Sequence, residues 1–161
     1  MASPAAAAPY HHLASGRFHG HAWSVSASDT VSNGEVSYCL DVSLWDRTAK
    51  TNRAETSCSN AGPLTVPARA SSFPHGFGYL GRNDCPTIYL WAGPVVSTAR
   101  TVELTLSTGA TLRVKTIPPP LGLSKRVAFW VARVPCSARV TALSGRNGAG
   151  ETVALVPIRF S

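Results

Sequence analysis

Apolar and polar residues alternate in several short runs of this chain, and turn-forming residues separate the runs. The longest clean alternation covers residues 35–44, and its apolar members share one parity: Val36, Tyr38, Leu40, Val42 and Leu44. A period of two places successive side chains on opposite faces of an extended strand, so this run predicts a strand with one buried face. Asn33-Gly34 comes directly before it and is typical of a two-residue β-hairpin turn, with the alternation at Trp23 and Val25 on the preceding strand.

A second hairpin is predicted in the last third of the chain. Val102, Leu104 and Leu106 alternate with polar residues, a Thr108-Gly109 turn follows, and Leu112-Arg113-Val114-Lys115 alternates again. The same reasoning predicts six strands beyond Cys85, at about 87–91, 101–107, 111–117, 126–134, 138–144 and 152–159.

The predicted strand at 126–134 is apolar on both parities, so we expect it to be central in the fold or covered on both faces. Pro118-Pro119-Pro120 lacks amide donors and is expected to end a strand. Short strands at this spacing predict an all-β fold, a two-sheet antiparallel sandwich with immunoglobulin-like topology as the leading interpretation. The antibody hallmark is missing, because Trp91 follows Cys85 by only six residues.

The chain of 161 residues is about one domain long, with 44% hydrophobic and 14% charged residues. Residues 1–15 are expected to be a disordered tail and residues 16–161 a single β-sandwich domain. Between Asp46 and Asp84 the alternation dissolves, and 62–84 is predicted to be a long irregular loop that is either functional or tied down by a disulfide. No apolar run approaches the roughly 20 residues of a transmembrane helix.

Four cysteines, Cys39, Cys58, Cys85 and Cys136, are widely spaced and form no Cys-x-x-Cys pair. This spacing in a small β-rich chain favours two structural disulfides and an oxidising compartment. Three pairings exist, and we favour Cys39–Cys58 with Cys85–Cys136, because sequential pairing closes the shorter loops. The alternative is a cytosolic protein with four free buried thiols.

The formal net charge is +7, which invites a nucleic-acid or anionic-surface hypothesis. The arginines are scattered singly and Lys125-Arg126 is the only adjacent basic pair, so we expect no specific nucleic-acid partner. Low-affinity attraction to an anionic cell envelope or an acidic polymer stays open, because it needs net charge but no motif.

Four of the five histidines cluster near the N-terminus: His11, His12, His19 and His21. If His19 and His21 alternate along a strand, they share a face and could bind copper or zinc, with His75 or an N-terminal histidine as a third ligand. The simpler interpretation is that these histidines bind no native metal. No other cofactor is expected.

Phe73, Phe77 and Tyr79 lie in the predicted irregular loop, interleaved with His75 and glycines. They could form a binding platform that stacks on sugars or on a partner peptide, or they could pack against one end of the sandwich. The four tryptophans are interpreted as core or edge residues: Trp23, Trp45, Trp91 and Trp130.

No catalytic residues are predicted. The chain contains no Gly-x-Ser-x-Gly nucleophile elbow, no His-Glu-x-x-His and no phosphate-binding loop. Four glutamates are a weak basis for paired-carboxylate chemistry, so an enzyme is not the expected function.

Several segments carry a resemblance to a group of proteins. They are Cys39-Leu40, Cys58, Ala92–Ser97, Ala99–Leu104, Ser107–Gly109, Phe129–Ala132, Val134-Pro135, Val140–Leu143 and Gly145–Gly150. Together they resemble uncharacterised exported actinobacterial proteins, with the likeness strongest in their C-terminal segments. The resemblance implies export and an all-β fold, and it brings no catalytic residues.

The sequence therefore predicts a secreted or cell-envelope-associated, disulfide-stabilised β-sandwich that acts as a noncatalytic interaction or structural module. The expected partner is a protein or a cell-envelope polymer. The alternative is an exported metal-binding protein that uses the N-terminal histidines.

Overall fold

The computed structural model describes residues 9–18, 21–46, 50–63, 75–78, 88–123, 127–135 and 137–157. These residues form eleven strands and contain no helix. The strands are β1 His11–Phe18, β2 His21–Ser32, β3 Glu35–Asp46, β4 Thr51–Pro63, β5 His75–Gly78, β6 Ile88–Val96, β7 Thr101–Leu106, β8 Thr111–Lys115, β9 Val127–Pro135, β10 Val140–Arg146 and β11 Thr152–Pro157. The predicted all-β class is confirmed, and the six strands predicted beyond Cys85 correspond to β6–β11.

The strands make three antiparallel sheets rather than the two that were predicted. The N-terminal sheet has the order β1-β2-β3-β4, the middle sheet has the order β5-β6-β9, and the C-terminal sheet has the order β11-β10-β7-β8. Every pairing between these strands is antiparallel. The immunoglobulin-like topology is not confirmed.

The middle sheet is covered on both faces, which is why a two-sheet sandwich was the wrong expectation. Alternate side chains of β9 enter two different cores: Val127 and Phe129 pack with buried residues of β2 and β3, whereas Ala128 and Trp130 pack with those of β7 and β10. Strand β6 also contributes side chains to both cores. The predicted two-sided apolar strand is therefore the centre of a three-layer fold.

The first predicted hairpin is confirmed. Asn33 and Gly34 have φ angles of 52° and 76°, as a type I′ turn requires, and they join β2 to β3. The five apolar residues of the long alternation are all buried in the first core. Among them, Tyr38 meets Phe129 of the middle sheet edge to face, with ring centroids 5.5 Å apart.

The second predicted hairpin, β7–β8, is also confirmed. The backbone reverses with Gly109 at a φ of 85°, and Leu106 N donates to Ala110 O across the turn at 2.8 Å. Beyond β8, Ile117 exchanges two backbone hydrogen bonds with Phe129, at 2.7 and 2.9 Å. The chain therefore passes from the C-terminal sheet to the edge of the middle sheet before the three prolines.

That bridge also explains how Pro94 fits inside β6. Phe129 is the register partner of Pro94, but its own N–H and C=O both bond to Ile117 on the other side. The Pro94–Phe129 pair is thus of the non-hydrogen-bonded type, and the absent proline N–H costs no ladder bond to β9.

Strands occupy three segments for which the sequence predicted none. Strand β1 begins at His11, inside the expected tail 1–15, and β4 occupies Thr51–Pro63 in the stretch after Asp46. Strand β5 lies inside the expected irregular loop 62–84, most of which falls outside the described residues. Strands β1 and β4 have polar residues at both odd and even positions, so they lack the apolar–polar alternation that predicts a strand. Backbone pairing does not require that alternation.

Candidate ligand-binding surfaces

The predicted disulfide between Cys39 and Cys58 is present. The two residues are direct register partners on β3 and β4, with Cα atoms 4.0 Å apart. Their side chains lie on the face of the N-terminal sheet that points away from the core, because the neighbouring residue Leu40 points into it. Cys85 and Cys136 lie outside the described residues.

The predicted histidine ligands fall on different parts of the fold. His21 starts β2 in the N-terminal sheet, His75 starts β5 in the middle sheet, and His19 lies outside the described residues. Among the residues that the structure describes, no three His, Cys, Asp or Glu side chains come together as a metal site. The copper or zinc site stays a prediction.

The aromatic loop platform also stays a prediction. Phe77 lies on β5 opposite Leu90, so this part of the expected loop is a strand, while Phe73 and Tyr79 lie outside the described residues.

A shallow cleft opens on the outer face of the N-terminal sheet. We call it the Trp45 cleft; its volume is about 410 Å³, and it is lined by Ser15, Gly16, Arg17, Ala22, Trp23, Ser24, Ser43 and Trp45. Trp45 is 43% exposed, whereas Trp130 in the core is 2% exposed. Trp45 is therefore not a core residue, and whether it contacts a ligand stays a prediction.

The strand register explains the shape of the cleft. Arg17 pairs with Ala22, and Ala22 pairs with Trp45, so two large side chains flank one methyl group in a row across three strands. The next row along the sheet is Ser15, Ser24 and Ser43, in which Ser24 Oγ and Ser43 Oγ are hydrogen-bonded at 2.8 Å. Small side chains therefore make a polar floor between an indole wall and a guanidinium wall.

Glycine at position 16 is required by the indole beneath this floor. A Cβ built on Gly16 would lie 2.7 Å from Cζ2 of Trp23, closer than real Cβ contacts come. Trp23 packs against the first core and is the register partner of Gly16, so its ring lies flat over the glycine. This close approach positions β1 and therefore Arg17.

The second candidate surface is the outer face of the C-terminal sheet, which we call the basic face: Arg113, Lys115 and Arg146, with Glu103 between them. Lys115 and Arg146 are the register partners of Thr101 on opposite sides of β7, and Arg113 is the partner of Glu103. Lys115 is exposed, and the side chain of Arg113 is 67% exposed.

Glu103 holds two of these cations in place. Arg113 Nη2 and Nε both donate to Glu103 Oε1, at 2.6 and 3.0 Å, and Arg146 Nε lies 3.1 Å from Oε2. The hydrogen bonds from Arg113, and then the ion pair with Arg146, outweigh the effect of burial, so the pKa of Glu103 is lowered. The carboxylate of Glu103, whose side chain is 11% exposed, thus orients two guanidinium groups across three strands.

Charge is strongly segregated along the chain. Residues 1–87 contain six Arg or Lys and six Asp or Glu, whereas residues 88–161 contain nine Arg or Lys and only Glu103 and Glu151 as acids. The whole net charge of +7 therefore belongs to residues 88–161, which contain the C-terminal sheet and the two longer strands of the middle sheet. Counting charged residues separately in the two halves of the sequence reveals this asymmetry, which is not evident from the spacing of single arginines.

No protein-family model, curated protein or solved structure matches this chain. Within the described part of the chain, no helix could cross a bilayer.

Proposed function

We propose that this chain is a noncatalytic extracytoplasmic module that binds an anionic polymer of the cell envelope through the basic face. The observation that carries the proposal is the segregation of charge, which assigns the entire net charge of +7 to residues 88–161. The basic face has three cations and one acid, and a surface with excess positive charge attracts polyanions and raises their local concentration. The N-terminal half, with no net charge, contributes no such attraction.

The basic face suits a polymer because its cations are both spaced and oriented. Lys115 and Arg146 flank β7, so their backbones lie about 10 Å apart, two strand spacings. Arg113 is held by Glu103 through two hydrogen bonds, which lowers the entropy cost of fixing its guanidinium group. A chain of repeated phosphates or carboxylates engages several such cations at once, and weak contacts add up through effective concentration.

The envelope is favoured over nucleic acid as the location of this polymer. The Cys39–Cys58 disulfide is typical of proteins in oxidising compartments, and the resemblance to exported proteins points the same way.

The test compares two matched charge reversals, Lys115→Glu and Lys50→Glu. Both replace an exposed lysine and change the net charge equally, but Lys50 precedes β4 in the N-terminal half. Binding of inorganic polyphosphate and of polygalacturonate is measured by calorimetry at low and at physiological salt. Reversing a cation in contact with the polymer is worth about 1–2 kcal/mol, so we expect Lys115→Glu to weaken binding roughly tenfold and Lys50→Glu less than twofold.

The two polymers separate a phosphate ligand from a carboxylate ligand. Equal losses in both variants would mean that only net charge matters and would refute the basic face as the site. Tighter binding to duplex DNA of equal charge than to either polymer would overturn the envelope assignment.

A further inference from the structure

We infer that the Trp45 cleft is a second binding site, one that takes a sugar ring of a glycan. It lies on the N-terminal sheet, whereas the basic face lies on the C-terminal sheet, and the middle sheet separates the two. The two proposed sites can therefore be tested independently of each other.

The volume and the walls of the cleft indicate a small cyclic ligand. A volume of about 410 Å³ lies in the range of small-molecule sites, roughly 300–1,000 Å³. Trp45 supplies a rigid flat wall, and because the residue is 43% exposed, its ring is accessible to a ligand. Ala22 keeps the space beside the indole open, because a larger side chain in that row would fill it.

The serines of the cleft match the hydroxyls of a sugar. Ser15, Ser24 and Ser43 each carry a group that both donates and accepts, as sugar hydroxyls do. Ser24 and Ser43 already share one hydrogen bond, which orients their remaining capacity. A sugar ring presents an apolar C–H face to an indole and hydroxyls at its rim, and this is the division between the wall and the floor.

Arg17 supplies the single formal charge among the described lining residues. Its guanidinium group presents several donors in a fixed plane, so it can bond to two neighbouring oxygens of one ring. Sugar hydroxyls and ring oxygens can both accept hydrogen bonds from such a group.

The probes are cellohexaose and chitohexaose, two neutral hexasaccharides that differ in their N-acetyl groups. Binding is followed by calorimetry and by tryptophan fluorescence. We expect saturable binding of at least one probe with a Kd of about 0.1–1 mM, little affected by salt. Trp45→Ala should weaken it at least tenfold, and Trp45→Phe, which keeps a flat ring, should retain most of it.

The matched control is Tyr10→Ala, which removes a comparably exposed aromatic ring, 46% exposed, outside the cleft lining. It should leave the Kd within twofold. Ala22→Phe fills the space beside Trp45 without removing any group, and it should abolish binding while thermal unfolding reports that the fold persists. Lys115→Glu should not change saccharide binding, so failure of the basic face leaves this test intact.

Absence of saturable binding of both probes up to about 10 mM would overturn the inference, as would a Kd unchanged by Trp45→Ala or by Ala22→Phe.

Discussion

Phe129 and Trp130 are neighbours on β9, and the three-layer fold predicts that both are indispensable to stability. Phe129 is 0% exposed in the first core, and Trp130 is 2% exposed in the second. Consecutive residues of a strand point to opposite faces, so both can be buried only if the strand is covered on both sides. Replacing each by alanine therefore tests whether β6 and β9 form a middle layer.

The expected costs follow from burial. Truncating a fully buried Phe or Trp to Ala costs about 3–5 kcal/mol through lost transfer free energy and the cavity left behind. Phe129→Ala also loses the edge-to-face contact with Tyr38, worth about 0.5–1.5 kcal/mol. For a chain of this length, each 1 kcal/mol lowers the midpoint of thermal unfolding by about 2–4 °C, so we expect a fall of about 6–20 °C for either variant.

The assay is equilibrium unfolding in guanidinium chloride, supported by calorimetry. Trp45→Ala makes the same chemical change as Trp130→Ala at a 43% exposed position and should cost about 0.5 kcal/mol or less. Phe129→Leu and Trp130→Leu leave smaller cavities than alanine and should cost less, so they keep the comparison measurable if the alanine variants do not fold.

A large loss for one residue and a loss below about 1 kcal/mol for the other would refute the reasoning, because one face of β9 would then be open to solvent. That result would restore a two-sheet sandwich.

Three further changes test single elements of the fold. Replacing both Cys39 and Cys58 by alanine should lower the free energy of unfolding by about 3 kcal/mol in guanidinium titrations, because the bond closes a loop with a sequence separation of 19; a loss below about 1 kcal/mol would contradict the loop-closure argument. Glu103→Gln should destabilise the fold at neutral pH. The pKa of Glu103 is lowered in the folded state, so its contribution to the free energy of unfolding is fully present above the ordinary value of 4.5 and is lost as the pH falls through the folded value. The difference in free energy of unfolding between wild type and variant should therefore shrink over that interval. A difference that grows on acidification would contradict the assigned ion pairs. Gly16→Ala should cost about 1–3 kcal/mol in thermal unfolding, because its Cβ would collide with Trp23, whereas an unchanged midpoint would show that the indole does not lie over the glycine.

The strands that the sequence predicted are those with a local signal. The residues between Val36 and Leu44 alternate because one face of β3 is buried. The turn before this strand requires positive φ angles, which Asn33 and Gly34 adopt readily. Both signals are contained in neighbouring residues, so they can be recognised without knowledge of the partner strands. The Cys39–Cys58 bond was predictable for a similar reason, since it joins strands that follow one another in the chain.

The strands that the sequence did not predict depend on their neighbours. Strand β4 is polar on both parities, and its pairing with β3 along Glu35–Asp46 supplies what its own side chains do not. The number of sheets could not be predicted either. The two-sided apolar character of β9 indicated cover on both faces, but which strands provide that cover is decided by pairings between residues far apart in the chain.

The two candidate surfaces likewise combine features that follow from the local sequence with features that depend on the pairing of strands. By itself, the sequence determined the fold class, most of the strands, one disulfide and the total charge, because these follow from composition and from the period of adjacent residues. Only the tertiary structure decided that Arg17 joins the row of Ala22 and Trp45 and that Glu103 orients Arg146 as well as Arg113. The physical reason is that a β-sheet brings residues together through register between strands. The Asn33-Gly34 turn fixes the register of β2 with β3 locally, whereas the pairing of β7 with β10 joins residues far apart in the chain.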